Sequence, residues 1–344
     1  MRSLIYGYGI TGKSFERYLI NNGKLEYDIF DQNIPKFNKR YDLSSYDQIL
    51  CSPGISPEKF YTLNNLYNVK TDVDIFFNED KSKKIGITGT NGKSTTCFHL
   101  SQLLNQDYEV NLVGNIGSPV LDVINNGKEY SIIELSSFQL HKMKENKLDF
   151  GVLINIQPDH LDYHKNFEDY KLAKEKILLA KQVTKISDPY HLYKWISGKN
   201  SKSIKLRNLP YRYEFISSTV INDSKSTNSS SLLYAIEKAN DLFDQDDYYL
   251  ICCGDPKKEN YPEVNISGPV EILIYGKHHK EINSCLKHKN KKIFNDIKSL
   301  YKYLEANAIK SNILFSPGFP SGLDYRNFEE RGNDFNKSFL NLSQ

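Results

Sequence analysis

The sequence predicts a multidomain α/β protein, because short apolar strands alternate with helical segments along the chain. Strands expected at Ser3–Tyr6, Lys84–Thr88 and Ser218–Ile221 each lead through a polar or glycine-containing loop into a helix. Alternation of this kind is typical of parallel sheets covered by helices. The 344 residues allow two or three domains at roughly 100–200 residues each. Polar stretches around Asn78–Lys83 and Pro210 place the predicted domains at residues 1–82, 83–207 and 208–344.

Composition and charge argue against several classes of protein. The 45 Lys and Arg residues nearly balance the 42 Asp and Glu residues, for a formal charge of +3. A charge this small does not indicate a nucleic-acid-binding protein. No apolar run reaches the roughly 20 residues that a membrane-spanning helix needs. The five cysteines are scattered without a Cys-x-x-Cys pair, so neither a zinc site nor a disulfide framework is expected. We expect a cytoplasmic monomer without nucleic-acid or membrane partners.

The first loop carries a complete dinucleotide-binding fingerprint. Gly7, Gly9 and Gly12 follow a strand in the spacing Gly-x-Gly-x-x-Gly. Asp31 lies about 20 residues further on, at the end of the strand Tyr27–Asp31, as a Rossmann-like domain requires. The fingerprint does not say which nucleotide binds, and a glycine turn without a ligand is the alternative.

The strongest motif is Thr88-Gly89-Thr90-Asn91-Gly92-Lys93-Ser94-Thr95, between a strand and a helix expected to reach Leu104. Backbone N–H groups of such a loop surround phosphate oxygens, while a lysine reaches the β- and γ-phosphates and a hydroxyl reaches Mg²⁺. Those roles fall to Lys93 and Ser94. The loop is a variant of the strict phosphate-loop pattern, because Ile87 stands where that pattern has glycine. A surface glycine turn is the alternative, and the strand–loop–helix context argues against it.

Two later strands lead to groups that suit a metal or a phosphate. Glu134 lies at the end of the strand Tyr130–Leu135, where an acid helps to hold Mg²⁺ in phosphate-loop ATPases. His160 follows the strand Val152–Ile156. A lone acid or histidine is more often an ordinary surface or core residue, and Asp162 and His164 are alternatives to His160. A helix is predicted over residues 167–180.

The motifs occur in an order that resembles the Mur ligase family. The strings that carry the resemblance are Gly89–Thr95, Gly114–Gly117, Glu134–Leu140, Asn155–Asp162, Asn222–Asn228, Ser316-Pro317 and Asn327–Gly332. The resemblance runs nearly end to end. It implies a central phosphate-loop ATPase domain with a parallel sheet, between N-terminal and C-terminal Rossmann-like domains.

The resemblance also implies a reaction, which is ATP-dependent, ADP-forming amide ligation in peptidoglycan precursor synthesis. The strings Glu134–Leu140 and Asn222–Asn228 are most similar to the member that adds D-glutamate to UDP-N-acetylmuramoyl-L-alanine through an acyl phosphate. Lys174 matches a helix lysine that CO₂ carbamylates, which would make it a ligand of a second Mg²⁺ beside His160. Only the resemblance prefers Lys174 over its neighbours Lys171, Lys176 and Lys181.

Further site residues are implied by the same match. Lys93, His160 and Lys174 would be catalytic, and two Mg²⁺ ions would be held by Ser94, Glu134, His160 and Lys174. The ATP-binding positions would be Gly89, Thr90, Asn91, Gly92, Lys93, Ser94, Thr95, Arg212, Asp223 and Lys225. The UDP-muramoyl substrate would meet Ile10, Thr11, Gln32, Asn33, Ser52, Gly54, Asn115 and Ser137. D-glutamate would meet Thr227, Lys257, Ser321 and Phe328.

The chain departs from the family in its length. Lys174 and Asp223 are only 49 positions apart, and the later part of the central sheet normally lies between them. The family's adenine-contacting Gly-x-His-Asn-x-x-Asn string is missing there. Residues 182–207 must therefore cover sheet surface in another way, and we expect weaker or less selective binding of ATP.

Three alternatives stay open. Another Mur or folylpolyglutamate-type ligase would share the ATP site, but the Glu134–Leu140 string and the first glycine loop argue against it. A shortened, non-catalytic nucleotide-binding or regulatory relative would explain the deletion, but the chain retains Lys93, Glu134, His160 and Lys174 together. An NAD oxidoreductase would leave the second loop unexplained.

Overall fold

The computed structural model describes residues 1–161, 163–243, 247–256, 263–307 and 311–340. The chain divides into two compact units, Met1–Arg207 and Asn208–Gln344. The described residues of the first unit form two parallel sheets, and those of the second form a mixed sheet and a small two-stranded one. The prediction of an α/β protein is confirmed.

The first sheet of the first unit has the strand order β2-β1-β3-β4. Its elements are β1 (Ser3–Tyr6), α1 (Ile10–Asn21), β2 (Tyr27–Phe30), β3 (Gln48–Cys51), α2 (Pro57–Leu66), β4 (Val69–Lys70) and α3 (Asp72–Glu79). Strands β1 and β3 are buried along their whole length, as expected for parallel strands covered on both faces. Helix α3 begins with a capping box between Thr71 and Asp74, which satisfies N–H groups of its first turn.

The second sheet has the strand order β6-β7-β5-β8-β9. Its elements are β5 (Lys83–Thr88), α4 (Lys93–Leu104), β6 (Val110–Gly114), β7 (Tyr130–Glu134), α5 (Ser137–Lys142), β8 (Phe150–Leu153), α6 (Phe167–Glu175), β9 (Gln182–Thr184) and α7 (Pro189–Ser197). Strand β5 pairs with β7 on one side and with β8 on the other. The loop that follows β5 therefore lies between the carboxyl ends of two neighbouring strands, where ligands of parallel sheets bind.

Helix α6 and strand β8 differ most from their predicted bounds. The helix expected over residues 167–180 is α-helical only to Glu175 and continues as a 3₁₀ turn, Lys176–Leu179. The turn packs so closely on β8 that a Cβ at Gly151 would lie 2.4 Å from the carbonyl oxygen of Ile177. The tightened turn takes the chain to β9. Strand β8 also ends at Leu153, three residues before the predicted end.

Residues 182–207 cover the sheet as expected, by a short route. Strand β9 extends the sheet next to β8, and α7 packs against α4. The ring of Trp195 meets Phe150 edge-on at 5.2 Å, while Tyr193 is fully buried. Gln102 of α4 donates to the carbonyl oxygen of Arg207 and accepts from its N–H, both at 2.9 Å. Residues 182–207 thus extend the sheet by one strand and place one helix, α7, against α4.

One hydrophobic cluster joins the two sheets of the first unit. It contains Phe15 and Leu50 from the first sheet, with Val113 and Leu140 from the second. The first unit therefore has a continuous core across residue 82. No helix among the described residues is long and apolar enough to cross a membrane.

The second unit has the strand order β10-β11-β17-β12-β14-β16 in its main sheet, as far as the structure describes it. Its elements are β10 (Glu214–Phe215), β11 (Val220–Asn222), α8 (Ser229–Leu242), β12 (Tyr248–Cys253), β13 (Val264–Asn265), β14 (Glu271–Tyr275), α9 (His279–Cys285), β15 (Leu286–Lys287), β16 (Lys291–Phe294), α10 (Ile297–Asn307), β17 (Asn312–Gly318) and α11 (Phe328–Leu340). Only β10 runs antiparallel to its neighbour among the described strands. Helix α8 ends at Leu242 and β12 spans Tyr248–Cys253, as predicted.

Candidate active site

The loop between β5 and α4 is fixed by the segment that follows β8. The N–H of Thr90 donates to the backbone carbonyl of Asn155 at 3.1 Å and to its side-chain oxygen at 3.0 Å. The N–H of Asn91 donates to the same side-chain oxygen at 3.0 Å. Gly92 has a φ of 84°, a left-handed conformation that favours glycine, and Lys93 then starts α4. This geometry places the helix N-terminus where it can bind phosphate.

Two lysines contact carbonyl oxygens of this loop. Lys93 Nζ donates to the carbonyls of Gly89 and Thr90, both at 2.8 Å. Lys174 Nζ, from α6, donates to the carbonyl of Gly89 at 2.8 Å and to the hydroxyl of Thr88 at 3.3 Å. The positive charge of Lys93 at this loop favours a polyanionic ligand.

Lys174 is 1% exposed. Burial, followed by the positive charge of Lys93, lowers the pKa of Lys174 well below its ordinary value, while Asp159 and Glu134 act in the opposite direction. A lowered pKa increases the fraction of neutral amine, which is the nucleophilic form. Lys174 therefore combines burial, closeness to the loop and the reactivity that a modified lysine needs.

A hydroxyl and a carboxylate meet beside the same loop. Ser94 Oγ donates to Glu134 Oε2 at 2.6 Å, and Asn115 Nδ2 donates to Glu134 Oε1 at 2.9 Å. Ser94 and Glu134 are only 3% and 1% exposed. Gly114 has a φ of 102°, and its backbone lies so near Glu134 that a Cβ at this position would be 2.4 Å from the carbonyl oxygen of Glu134. Buried oxygen donors of this kind fit Mg²⁺, which keeps further positions for phosphate and water.

His160 lies on an exposed turn beside this arrangement. Its φ is 52°, its side chain is 51% exposed, and its ring is 5.1 Å from that of Phe138. The structure thus brings Lys93, Ser94, Glu134 and Lys174 to one loop, while the side-chain contacts described for His160 are with Asp159 and Phe138. Across the described residues, no group of three His, Cys, Asp or Glu side chains could hold a metal.

Of the two alternatives to His160, the structure describes only His164. His164 is 1% exposed, and its Nε2 lies 3.0 Å from Ser137 Oγ. Its Nδ1 is 3.5 Å from Asp169, and burial lowers the pKa of His164. His164 is thus a buried core histidine that contacts Ser137, which was expected near the substrate. Asp162 lies outside the described residues.

Sequence reasoning missed the residues that support the loop. Tyr170 shares a hydrogen bond of 2.9 Å between its hydroxyl and that of Thr90, and Lys174 Nζ lies 4.9 Å from the centre of its ring. The available signal was the spacing of four residues between Tyr170 and Lys174, which puts both on one helix face. Asn155 begins one of the strings that carry the resemblance, but its role in holding the loop depends on the pairing of β5 with β8, which the string does not show.

The first glycine loop is held by different groups. Asp31 Oδ2 accepts the N–H of Tyr8 at 2.7 Å, and Ser52 Oγ donates to the carbonyl of Gly7 at 2.7 Å. Gly12 is required here, because a Cβ would lie 2.2 Å from the carbonyl oxygen of Gly7. The loop lies at the carboxyl ends of the paired strands β1 and β3.

The expected UDP-site residues of the first sheet lie in these loops. Ile10 and Thr11 are in the first turn of α1, and Ile10 is 77% exposed. Gln32 and Asn33 are exposed beyond β2, and Gly54 follows Ser52. Ile10, Gln32, Asn33 and Gly54 are exposed to a ligand, whereas Ser52 is buried.

In the second unit, the loop after β11 brings together three expected residues. Asp223 accepts from the N–H of Tyr213 at 3.0 Å and from Ser316 Oγ at 3.1 Å, and burial raises the pKa of Asp223 to about 7. Lys225 Nζ lies 4.2 Å from the ring centre of Phe328. A cation over an aromatic ring is a favourable contact.

A buried arginine stabilises this loop from behind. Arg331 is fully buried and donates to the carbonyls of Ser224 and Phe319 at 2.7 and 2.8 Å. Arg212, Thr227 and Ser321 are partly exposed, and Lys257 lies outside the described residues.

Comparison with known proteins agrees with this geometry. The family model of the Mur ligase middle domain matches residues 87–279. The UDP-N-acetylmuramoylalanine–D-glutamate ligases of two Francisella tularensis strains, FSC 198 and U112 of subspecies novicida, are each 30% identical to the chain over 411 aligned positions, with 99% of this chain and 96% of the relative covered. The alignment exceeds the 344 residues of the chain, which is consistent with a shortened member.

Solved structures of low identity share the fold. The MurF ligase of Thermotoga maritima, solved in complex with ADP, has a TM-score of 0.62 at 15% identity and covers 98% of this chain and 95% of its own. A pseudomurein peptide ligase of type C from Methanothermus fervidus has a TM-score of 0.54 at 15% identity, with 99% and 100% covered. The matched middle domain, the full-length relatives and the phosphate-loop site together show that the chain belongs to the Mur ligase family, the ATP-dependent, ADP-forming ligases of peptidoglycan synthesis.

Proposed function

We propose that the protein joins the carboxylate of UDP-N-acetylmuramoyl-L-alanine to the amine of D-glutamate. The relatives at 30% identity carry the name of this activity. The structural observation that carries the proposal is the hydrogen bond of 2.6 Å between Ser94 and Glu134, on a loop that Lys93 and Lys174 also contact. This constellation suits a reaction at the γ-phosphate of ATP.

The first step is phosphoryl transfer to the substrate carboxylate. A carboxylate oxygen attacks the γ-phosphorus, a new O–P bond forms, and the bond to the bridging oxygen breaks as ADP leaves. Attack by one anion on another needs positive charge around the transferring group. Lys93 is placed to supply it, since its Nζ already lies on the loop that would surround the phosphates.

We propose two metal sites, of which the side chains at the loop fit the first. Ser94 and Glu134 would hold one Mg²⁺, whose charge would neutralise the β- and γ-phosphate oxygens. Lys174 would take up CO₂, with its neutral amine forming an N–C bond and releasing a proton. The resulting carbamate would be an anionic oxygen ligand for the second Mg²⁺, together with His160.

The second step forms the amide. The amine of D-glutamate attacks the carbonyl carbon of the acyl phosphate, the C–N bond forms, phosphate leaves, and the amine loses a proton. Thr227, Lys257, Ser321 and Phe328 are the proposed contacts for D-glutamate, with Lys257 pairing with a carboxylate. Water must be kept from the acyl phosphate, because hydrolysis would waste ATP.

The test is phosphate release by the purified protein with ATP, Mg²⁺, bicarbonate and UDP-N-acetylmuramoyl-L-alanine, with and without D-glutamate. We expect release that depends on D-glutamate and that falls by about 10³-fold or more in Lys93→Ala, in line with the loss of a γ-phosphate cation. The control is Lys171→Ala, which removes a lysine that is 40% exposed. Release with another amino acid or another acceptor would indicate a different ligase, and no release by the folded protein at saturating ATP would favour a non-catalytic relative.

A further inference from the structure

Lys142 connects two loops that belong to different sheets of the first unit. It is only 2% exposed, and its Nζ donates to the backbone carbonyl of Pro53 and to the hydroxyl of Tyr163. Pro53 follows β3 of the first sheet, and Tyr163 follows β8 of the second. A single side chain thus bridges the carboxyl-end loops of both sheets.

On the side of the first sheet, Pro53 belongs to a loop that is fixed to the glycine loop. Ser52 Oγ donates to the carbonyl of Gly7 at 2.7 Å. A Cβ at Gly7 would lie 3.1 Å from Ser52 Cβ, so the two loops are in close contact. The carbonyl that Lys142 binds therefore moves with the loop proposed to bind the UDP moiety.

On the side of the second sheet, Tyr163 belongs to the turn that carries His160. The N–H groups of Tyr163 and His164 both donate to the carbonyl of His160, at 3.1 and 2.9 Å. The ring of Tyr163 stacks on Phe138 at 3.7 Å, and Phe138 meets the ring of His160 edge-on at 5.1 Å. A shift of Tyr163 would therefore shift His160.

A buried ammonium group holds its acceptors strongly. An ammonium has three donors, and leaving it without partners in a buried place costs several kcal/mol. Burial lowers the pKa of Lys142 to about 8, with Cys51 and Asp72 acting in the opposite direction, which agrees with a desolvated amine. The acceptors at Pro53 and Tyr163 are thus kept at a fixed distance from each other.

We propose that Lys142 and Tyr163 are positioning residues that hold the Ser52–Gly54 loop in register with the His160 turn. They would set how far the acceptor carboxylate of the UDP-linked substrate lies from the γ-phosphate. The inference rests on the proposed function, because it assumes that the UDP moiety binds at the first sheet while phosphoryl transfer occurs at the second.

The test uses two substitutions that remove the hydrogen bond between Lys142 and Tyr163 and keep the packing of both side chains. Tyr163→Phe keeps the ring on Phe138 and removes the hydroxyl, and Lys142→Met keeps an unbranched chain and removes the donors. Because a charged hydrogen bond is lost in each, we expect kcat/KM for UDP-N-acetylmuramoyl-L-alanine to fall by about tenfold or more, with the KM for ATP unchanged. The double variant should be only slightly worse than Lys142→Met, since both substitutions break the same link and Tyr163→Phe adds only the loss of a longer bond of 3.4 Å to the carbonyl of Ile55.

The matched control is Lys144→Met. Lys144 Nζ also donates to a carbonyl of the first sheet, that of Val69 at 2.6 Å, but it contacts neither the Ser52–Gly54 loop nor the His160 turn in any bond described. We expect wild-type constants for this variant. Wild-type constants in Tyr163→Phe and Lys142→Met, or equal rises of both KM values, would overturn the inference. If Lys142→Met does not fold, Tyr163→Phe decides alone.

Calorimetric titration with UDP-N-acetylmuramoyl-L-alanine, without ATP, distinguishes failure of the inference from failure of the proposed function. Wild-type protein that binds this molecule but shows no D-glutamate-dependent turnover would contradict the proposed function only. The inference would then be supported by weaker binding in both variants and overturned by equal binding. Wild-type protein that does not bind the molecule would overturn both.

Discussion

The two glycine loops of the first unit have the same local architecture and different surroundings. Each follows a buried parallel strand and starts a helix. At the loop of residues 7–12, a carboxylate accepts a backbone N–H, and a serine hydroxyl donates to a carbonyl. At the loop of residues 89–95, two lysine side chains donate to carbonyl oxygens, and a buried carboxylate faces the first turn of the helix.

The difference shows what a glycine loop contributes and what it does not. Glycine allows a tight turn and close approach of a ligand to backbone N–H groups, and both loops offer that. Chemistry at a phosphate also needs charged and reactive groups, which come from elements distant in sequence, such as Glu134 of β7 and Lys174 of α6. The first loop is suited to binding, and the second is suited to both binding and reaction.

The largest expected effect is that of Lys174→Ala. If the second loop is reactive because of its converging charges, removal of this amine should lower kcat by about 10³-fold, as loss of a metal ligand does. The measurement is D-glutamate-dependent phosphate release, with wild-type protein also assayed after removal of CO₂, where activity should fall. Lys171→Ala, on the same helix and 40% exposed, is the control. Equal activities in the two variants would mean that Lys174 only fills space.

Glu134→Gln should have the next largest effect. The amide keeps the shape and can still bond to Ser94, but it loses the negative charge that would attract Mg²⁺. We expect kcat to fall by about 10²-fold and the Mg²⁺ concentration for half-maximal rate to rise. Glu129→Gln is the control, because Glu129 is exposed just before β7. An unchanged Mg²⁺ titration would place the metal elsewhere.

Gly12→Ala tests the first loop against the second. A Cβ at Gly12 would lie 2.2 Å from the carbonyl of Gly7, whereas one at Gly9 would meet nothing within 4 Å. Overpacking of this kind costs roughly 1–3 kcal/mol, so we expect the KM for the UDP-linked substrate to rise by about tenfold in Gly12→Ala and little in Gly9→Ala. The KM for ATP should not change. A rise in both KM values would show that the two loops are not independent.

Much of this fold could be predicted because its signals are local. The strands Ser3–Tyr6, Gln48–Cys51 and Tyr248–Cys253 are short apolar runs with polar ends, and the helix from Lys93 to Leu104 follows a glycine. Lys93 and Ser94 were predicted from the loop motif, and Glu134 from its place at the end of a strand where phosphate-loop ATPases carry an acid.

What could not be predicted depends on contacts between distant segments. The hydrogen bonds of Asn155 to the loop, 64 and 65 residues apart, exist only once β5 and β8 pair. Nothing in the sequence distinguishes Lys142 from the other lysines, because its hydrogen bond is to the carbonyl of Pro53, which lies 89 residues away in the chain. The helix predicted to reach residue 180 becomes a 3₁₀ turn because it must pass closely over Gly151, which local helical spacing cannot show.

The smallest expected effect on turnover belongs to a third strand–loop–helix segment, in the second unit. Asp223 is partly buried and accepts two hydrogen bonds, and desolvation raises its pKa from 3.8 to about 7. Between those pH values the folded state binds more protons than the unfolded state, so the free energy of unfolding falls as pH rises through this window. This shift in the pKa of Asp223 limits the change in the free energy of unfolding to at most about 4 kcal/mol.

Asp223→Asn should remove this pH dependence, because the amide can accept from Tyr213 and donate to Ser316 without ionising. Urea unfolding between pH 4 and 8 would show the variant gaining stability over wild type as pH rises, until the difference levels off above pH 7. Asp241→Asn, at an exposed position of α8, should follow the wild-type curve. Parallel curves for wild type and Asp223→Asn would mean that Asp223 is ionised across the range, and that this loop, like the one at residues 89–95, carries a charge available to a ligand.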